Sequence, residues 1–381
     1  MKQLLSVHEG QVADPSPIGS YKPGDVVFLL KDLSGVELER GTEDREEAIQ
    51  SGTHYSEMLP IEYRPSDDYI GLYRQTLLAT AGKVAEAVAV VAEQIVAKRG
   101  AGVVLASLAR AGTPIGVLIK RYLHTYHGLD VPHYSISIIR GKGIDENALK
   151  YMLRRHPEGN IQFVDGWTGK GAIRKVLIEA CGSFHDRYGV RLSDDLAVLA
   201  DPGCCSATFG TREDFLIPSA CLNSTVSGLV SRTVLRGDLI GPEDYHGAKY
   251  YRELEEDDLS NEYVDTIEAQ FEAVREAARE KAGRLLAETG DPVTWQGERD
   301  IRAIQRDYGI DDVNLVKPGV GETTRVLLRR VPWKILVDDA ANPNLAPILL
   351  LAADRGVPVE EYPELTYSCC GIIRPLKGDS A

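Results

Sequence analysis

Apolar and polar positions change their period several times along this chain. Asp25 to Leu30 (DVVFLL) reads as a strand, and Thr42 to Gln50 as a short acidic helix. From Tyr69 to Arg99 the Ala- and Val-rich pattern is helical, which predicts a helix buried on most sides. A regular alternation follows. Val103–Leu108 reads as a strand, Gly112–His127 as a helix, Val131–Ile139 as a strand and Glu146–His156 as a helix. Ile161–Val164 (strand), Gly171–Tyr188 (helix) and Leu196–Ala200 (strand) complete the series. Strands alternating with helices imply βαβ units and a parallel sheet.

Beyond residue 200 the signals are more varied. Ser219 to Val234 is apolar and rich in Ser and Thr, with no single period, and Gly237 to Gly247 is a turn. Glu253 to Thr289 is a charged helical stretch that reads as a solvated connector. Gly290-Asp291-Pro292 marks a domain boundary, because Gly followed by Pro ends a helix. A second, smaller α/β unit follows: helix 299–308, strand 313–316, helix 322–330, strand 334–337, helix 345–355 and strand 357–361.

The 381 residues suggest two or three domains, and 43% apolar with 26% charged residues are the proportions of a soluble globular protein. Apolar runs such as Ala346–Ala353 fall short of the roughly 20 residues a bilayer requires. No apolar stretch follows Met1-Lys2, so neither a signal peptide nor a membrane span is expected. A net charge of −14 argues against nucleic-acid binding over the whole surface, but allows a local basic patch. The six cysteines, four of them in the pairs Cys204-Cys205 and Cys369-Cys370, read as thiols of a cytoplasmic protein.

Three strand-to-helix turns carry candidate chemistry, since ligands of open parallel sheets collect at the carboxyl ends of the strands. Asp165-Gly166-Trp167-Thr168-Gly169-Lys170-Gly171 offers successive amides, a hydroxyl and a lysine to one anion at a helix start. Arg110-Ala111-Gly112-Thr113-Pro114 puts a guanidinium suited to forked phosphate contacts on a small-residue loop. Arg140-Gly141-Lys142-Gly143 reads as a mobile basic loop able to close over an anion.

This order of turns resembles the type I phosphoribosyltransferase fold over roughly residues 75–205. The resemblance implies that Arg110, Ala111, Gly112 and Thr113 meet pyrophosphate, that Arg140 and Lys142 close over it, and that Asp165 addresses the ribose. It further implies that Thr168, Gly169, Lys170 and Gly171 hold the 5-phosphate, with Mg2+ bound through the diphosphate and no direct protein ligand to the metal. One departure is visible: the family's two adjacent acids are here Asp165 followed by Gly166. Three further segments, His54–Pro60, Ser219–Gly228 and Asp244–Lys249, resemble the StiP family. Those proteins are phosphoribosyltransferase-like and are encoded in tellurium-resistance and stress-response operons.

The StiP label also carries a cysteine-protease suggestion. Cys204 and Cys205 follow the strand 196–200, and His246, in a turn, is the candidate base for such a nucleophile. His124, His127 and His133 lack a carboxylate or Cys at ligand spacing, so no metal site is read there. Ser224, Thr225, Ser227, Ser231 and Thr233 are read as packing or as a hydroxyl-lined wall.

Val316 to Arg325, Trp333 to Asp339 and Leu345 to Val359 resemble the Pelota/L7Ae-type RNA-binding domain. Between 317 and 334 there are five basic residues (Lys317, Arg325, Arg329, Arg330 and Lys334) and one acid, Glu322. That cluster is the candidate RNA contact. The expected organisation is therefore a phosphoribosyltransferase-like α/β domain over 1–290, with an N-terminal extension and a helical connector, and a Pelota/L7Ae-like domain over 293–376. The expected activity is a Mg2+-dependent phosphoribosyltransferase acting on phosphoribosyl diphosphate or a related phosphorylated ribose. The alternatives are a cysteine-dependent hydrolase and a non-catalytic RNA-associated stress protein.

Overall fold

A computed structural model describes residues 12–374, apart from 42, 43, 46, 49, 50 and 291; the side chains of Asp68 and Arg329 also lie outside the description. The first strands are β1 (Val27–Phe28), β2 (Lys31–Asp32), β3 (Glu39–Arg40) and β4 (Leu59–Pro60), then the helix α1 (Asp67–Arg99). The alternating series comprises β5 (Val104–Leu108), α2 (Gly112–His127), β6 (His133–Ile136), β7 (Ile138–Ile139), β8 (Gly143–Ile144) and α3 (Glu146–Arg155). It continues with β9 (Ile161–Trp167), α4 (Ala172–Tyr188), β10 (Leu196–Ala200) and β11 (Thr208–Thr211).

The six-stranded sheet runs β1-β6-β5-β9-β10-β11, and every pairing in it is parallel. Its strands are apolar on both faces. Leu105, Ala197 and Leu199 pack with α1 and α2, whereas Val104, Ala106, Leu196 and Val198 pack with α3 and α4. A parallel sheet covered by helices on both sides requires such continuous apolar runs. The strand order reverses between β5 and β9, and that reversal opens a crevice at their carboxyl ends.

After β12 (Gly247–Ala248), the charged stretch forms α5 (Ser260–Glu268) and α6 (Phe271–Ala287). These helices are not a solvated connector. Tyr263, Val264, Ile267, Phe271, Ala278 and Ala282 are buried in the same apolar cluster as α1. α1 is long and apolar enough to cross a membrane by length and composition alone, but 61% of its apolar window is buried inside the protein.

The smaller unit contains α7 (Gln296–Tyr308), β13 (Val316–Pro318), α8 (Val320–Arg329), β14 (Pro332–Val337), α9 (Ala346–Asp354), β15 (Val359–Glu361) and β16 (Cys369–Ile373). Its sheet order is β13-β16-β14-β15, with only β14 and β15 parallel. Ile301 and Ile304 of α7 cover one face, and α8 with α9 covers the other. Val320, Leu327, Ile335 and Ile348 belong to the same continuous cluster as Phe215 and Ala220, so one apolar core runs through both sheets.

Several elements differ from the sequence reading. The strand expected at 25–30 shortens to β1, and the one expected at 131–139 breaks after Ile136 so that β7 can pair antiparallel with β8. The strand expected at 161–164 extends to Trp167, and 313–315 is a short 3-10 turn preceding β13. Of the helix expected at 42–50, residues 42, 43, 46, 49 and 50 lie outside the described residues.

Candidate functional site

The turn after β5 touches β9 at the crevice. A Cβ on Gly112 would lie 2.4 Å from the Val164 carbonyl oxygen, and one on Gly166 would lie 3.3 Å from the Ala111 carbonyl oxygen. Glycine at these two positions permits the close approach. The turn after β9 lines a cleft of about 230 Å³ together with Arg140, Lys317 and Glu322.

Asp165 lies at the floor of this cleft, accepting a 2.8 Å hydrogen bond from the Gly166 amide. Desolvation by the surrounding protein pushes its carboxyl up to about 7. The Lys170 ammonium donates to the Val313 carbonyl at 2.8 Å. Burial, with Lys317 and Arg140 nearby, pulls it down to about 8. Thr168 also lines the cleft, its hydroxyl donating to the buried Asp201. Gly169 and Gly171 line the wall, and Gly171 takes a left-handed backbone (φ 77°) immediately before α4.

The structure separates the other turn residues. Arg110 reaches Asn223 Oδ1 (3.2 Å), the Val230 carbonyl (3.4 Å) and Glu62 (4.0 Å), away from the residues lining the cleft. Thr113 is buried, its hydroxyl 2.8 Å from that of Ser135. Residues 140–142 form the tight turn of the β7–β8 hairpin rather than a long loop. The Arg140 amide donates to the Tyr55 hydroxyl (2.9 Å), and the Arg140 guanidinium lies 5.6 Å from that ring. Lys142 is exposed at the hairpin tip and does not line the cleft. Of the expected cationic contacts Arg110, Arg140, Lys142 and Lys170, the cleft thus contains Arg140 and Lys170. Its oxygen donors are Asp165 and Glu322, the latter held by Arg325 at 2.8 Å. Among the described residues no group of three or more His, Cys, Asp or Glu gathers.

The two thiols lie behind the same turn. Asp201, fully buried, accepts from the Cys205 amide (3.1 Å) and the Ser206 amide (2.9 Å), and it pairs with Arg212. Cys205 is 1% exposed, and burial pushes its thiol up to about 12. Cys204 is half-buried and has a left-handed backbone (φ 52°). Its carbonyl accepts from the amides of Thr294 (3.0 Å) and Trp295 (2.8 Å), at the entrance to the smaller unit. Burial, and after it the Asp201 charge, raise its thiol above the ordinary value, against a lowering by Arg212. His246 does not join them. Its Nδ1 is 2.8 Å from Ser137 Oγ, at the end of β6. Three strand intervals, roughly 14 Å, separate β6 from β10.

In the smaller unit, Lys317 faces the cleft, and Arg325 lies 5.6 Å from the Trp167 ring. Arg330 lines a separate outward groove of about 420 Å³ with Arg355 and Arg374. Arg329 ends α8, its side chain outside the description. The sequence reading passed over Arg232 and Asp201. Arg232 fell in a segment without a period, and Asp201 follows a strand whose ending gives no local sign that a whole loop hangs on it.

The fold is a mixed α/β protein with a mostly parallel central sheet flanked by helices and a smaller C-terminal unit. The family described as "Tellurite-like stress resistance cysteine protease StiP" matches residues 19–268, and the "PELOTA RNA binding domain" matches residues 295–375. A protein of Acinetobacter baylyi named "Cysteine protease StiP" is 34% identical over 352 residues, covering 90% of each chain. The chain belongs to the StiP family. No solved structure matches it. These names overturn the expected Mg2+-dependent phosphoribosyltransferase and its glycosyltransferase activity: the family and the relative are named as cysteine proteases. The cation-lined turn suggested phosphate, but a turn that suits an anion does not by itself define a reaction.

Proposed function

We propose that this chain is a cysteine-dependent hydrolase acting on peptide bonds, with Cys204 as its nucleophile. The family and the relative named above support the class. The observation that carries the choice of residue is exposure: of the six cysteines, five are buried and Cys204 is partly exposed. Its sulfur would attack the scissile carbonyl carbon, the amine would leave with a proton, and water would then hydrolyse the thioester. Attack requires the thiolate, and a thiol raised above its ordinary value stays protonated at neutral pH. The reaction is therefore expected to accelerate toward alkaline pH. Cys204→Ala should abolish peptide hydrolysis, whereas Cys205→Ala should leave most of it, provided the variant remains folded. Full activity in Cys204→Ala overturns the assignment.

A second reading concerns the smaller unit, which we propose binds RNA. The domain match over 295–375 and the cations Lys317, Arg325 and Arg330 support it. Binding that weakens steeply with added salt is the expected behaviour. We also take the larger sheet as phosphoribosyltransferase-like in type, a matter of topology alone, supported by its parallel order and the crevice between β5 and β9.

A further inference from the structure

The positive charges around the cleft are arranged as a track. Lys317, from β13, faces Lys170 and Arg140 across the cleft between the two sheets. Arg140 in turn shares the Tyr55 ring with Arg232, both guanidinium carbons lying 5.6 Å from its centre. Among the described residues, Arg140, Lys170, Lys317 and Arg232 form no ion pair. The carboxylates within reach offset them only in part: Asp312 acts on Lys170 and Lys317, Glu322 is shared among Arg325, Lys317 and Arg140, and burial pushes Asp165 up to about 7.

The cations feel one another. Lys170 is lowered by Lys317 and Arg140 after burial. Arg232 is pulled to about 10 by burial first, and then by Arg45, Arg110 and Arg140. Lys317 is lowered by burial and, among its cationic neighbours, by Arg140 and Arg330. Crowding like charges in a partly desolvated cleft is unfavourable, and an anion placed there relieves it. On a chain of net charge −14 the concentration is local. A single small anion would be served by one spot. A row of cations spanning two units suits a ligand whose negative charges recur along its length.

We propose that single-stranded RNA lies in this cleft, its phosphodiester backbone running from Lys317 across Lys170 to Arg140. This rests on the RNA-binding reading above and places the RNA between the two units instead of on the outward face of the smaller one. Arg325, stacked near Trp167 and paired with Glu322, helps hold the smaller unit against the larger and is not a primary contact.

The test is fluorescence anisotropy with a labelled single-stranded RNA of about 20 nucleotides, using the full chain and a salt series. Lys317→Ala and Arg140→Ala should each weaken binding about tenfold and reduce the slope of log affinity against log salt by about 0.7. Arg355→Ala and Arg374→Ala, in the outward groove, should leave both unchanged. Circular dichroism establishes that each variant is folded. Lys317→Arg, which keeps the charge, should bind close to the original. If the chain binds RNA but the cleft variants bind as well as the original, the cleft assignment falls and the RNA-binding reading stands. Loss of binding in the outward-groove variants, with the cleft variants unaffected, leads to the same outcome. If inorganic phosphate or a nucleoside monophosphate displaces the RNA at concentrations matched in phosphate, the cleft is a small-anion site and the assignment falls. If the original chain binds no RNA at all, both readings fall.

Discussion

Gly112 and Val164 meet so closely that a single methyl group on the first would lie 2.4 Å from the carbonyl oxygen of the second. The contact joins the start of α2 to the middle of β9, beside the reversal of strand order. Gly112→Ala should therefore overpack the junction and cost about 2 kcal/mol. Thermal unfolding checks it. An unchanged melting temperature would mean that the helix start and the strand separate without penalty.

Cys204 should be the thiol that iodoacetamide labels first, because the other five cysteines are buried. With its thiol raised above the ordinary value by burial, the protonated form prevails at neutral pH. Labelling should speed up steadily as pH rises through 9, as mass spectrometry of quenched samples would register. A rate that levels off below pH 8 would contradict the electrostatics described for this thiol.

Arg212 is the cation paired with Asp201, a carboxylate that also receives the Cys205 and Ser206 amides. Arg212→Ala leaves that charge buried and unmatched, at a cost of about 3 kcal/mol. Asp201→Asn with Arg212→Ala together should recover part of the loss, because no buried charge then lacks its partner. Denaturant unfolding of the single and double variants measures the difference.

Asp214 has its carboxyl pushed up to about 7 by burial, while it accepts from the amides of Val320 (3.0 Å) and Ser368 (2.9 Å) in the smaller unit. The folded form thus holds this proton more tightly than the unfolded chain. Its contribution is complete below about pH 4 and is lost as pH rises toward 7, by up to about 4 kcal/mol. Asp214→Asn, which cannot ionise, should flatten the fall in melting temperature between pH 4 and 7. An identical pH profile in the variant would remove Asp214 as its source.

The legible parts of the sequence were those in which local chemistry and tertiary packing agree. The helix read at Gly112–His127 has those bounds in the structure, ended by Gly128 in a left-handed conformation (φ 66°). The strand Leu196–Ala200 was equally plain, because all five residues are apolar and both faces are covered. β11 was missed: Thr-Phe-Gly-Thr is short, and its glycine is explained only by the Ala87 backbone, 2.3 Å from where its Cβ would stand. β16 was missed because Cys-Cys-Gly-Ile-Ile carries no alternation, yet it is the inner strand that pairs with both β13 and β14. On α6, charged residues conceal a face formed by Phe271, Ala278 and Ala282. At the site, spacing revealed the turns, but the placement of His246 and Cys204 depends on strand order, which no local pattern encodes. The tightness of the 140–142 hairpin was hidden for a similar reason: Gly-Lys-Gly reads as slack until the partners of Ile138 and Ile139 are known.

The loop that carries Cys204 is also the one on which the smaller unit is hung. Thr294 and Trp295 grip the carbonyl of that cysteine, and the Gly297 amide donates to Gly203 at 3.1 Å. The backbone that bears the sulfur is therefore pinned by the same hydrogen bonds that tie the start of the C-terminal unit to the larger one, so a substitution that loosens that junction displaces the thiol as well.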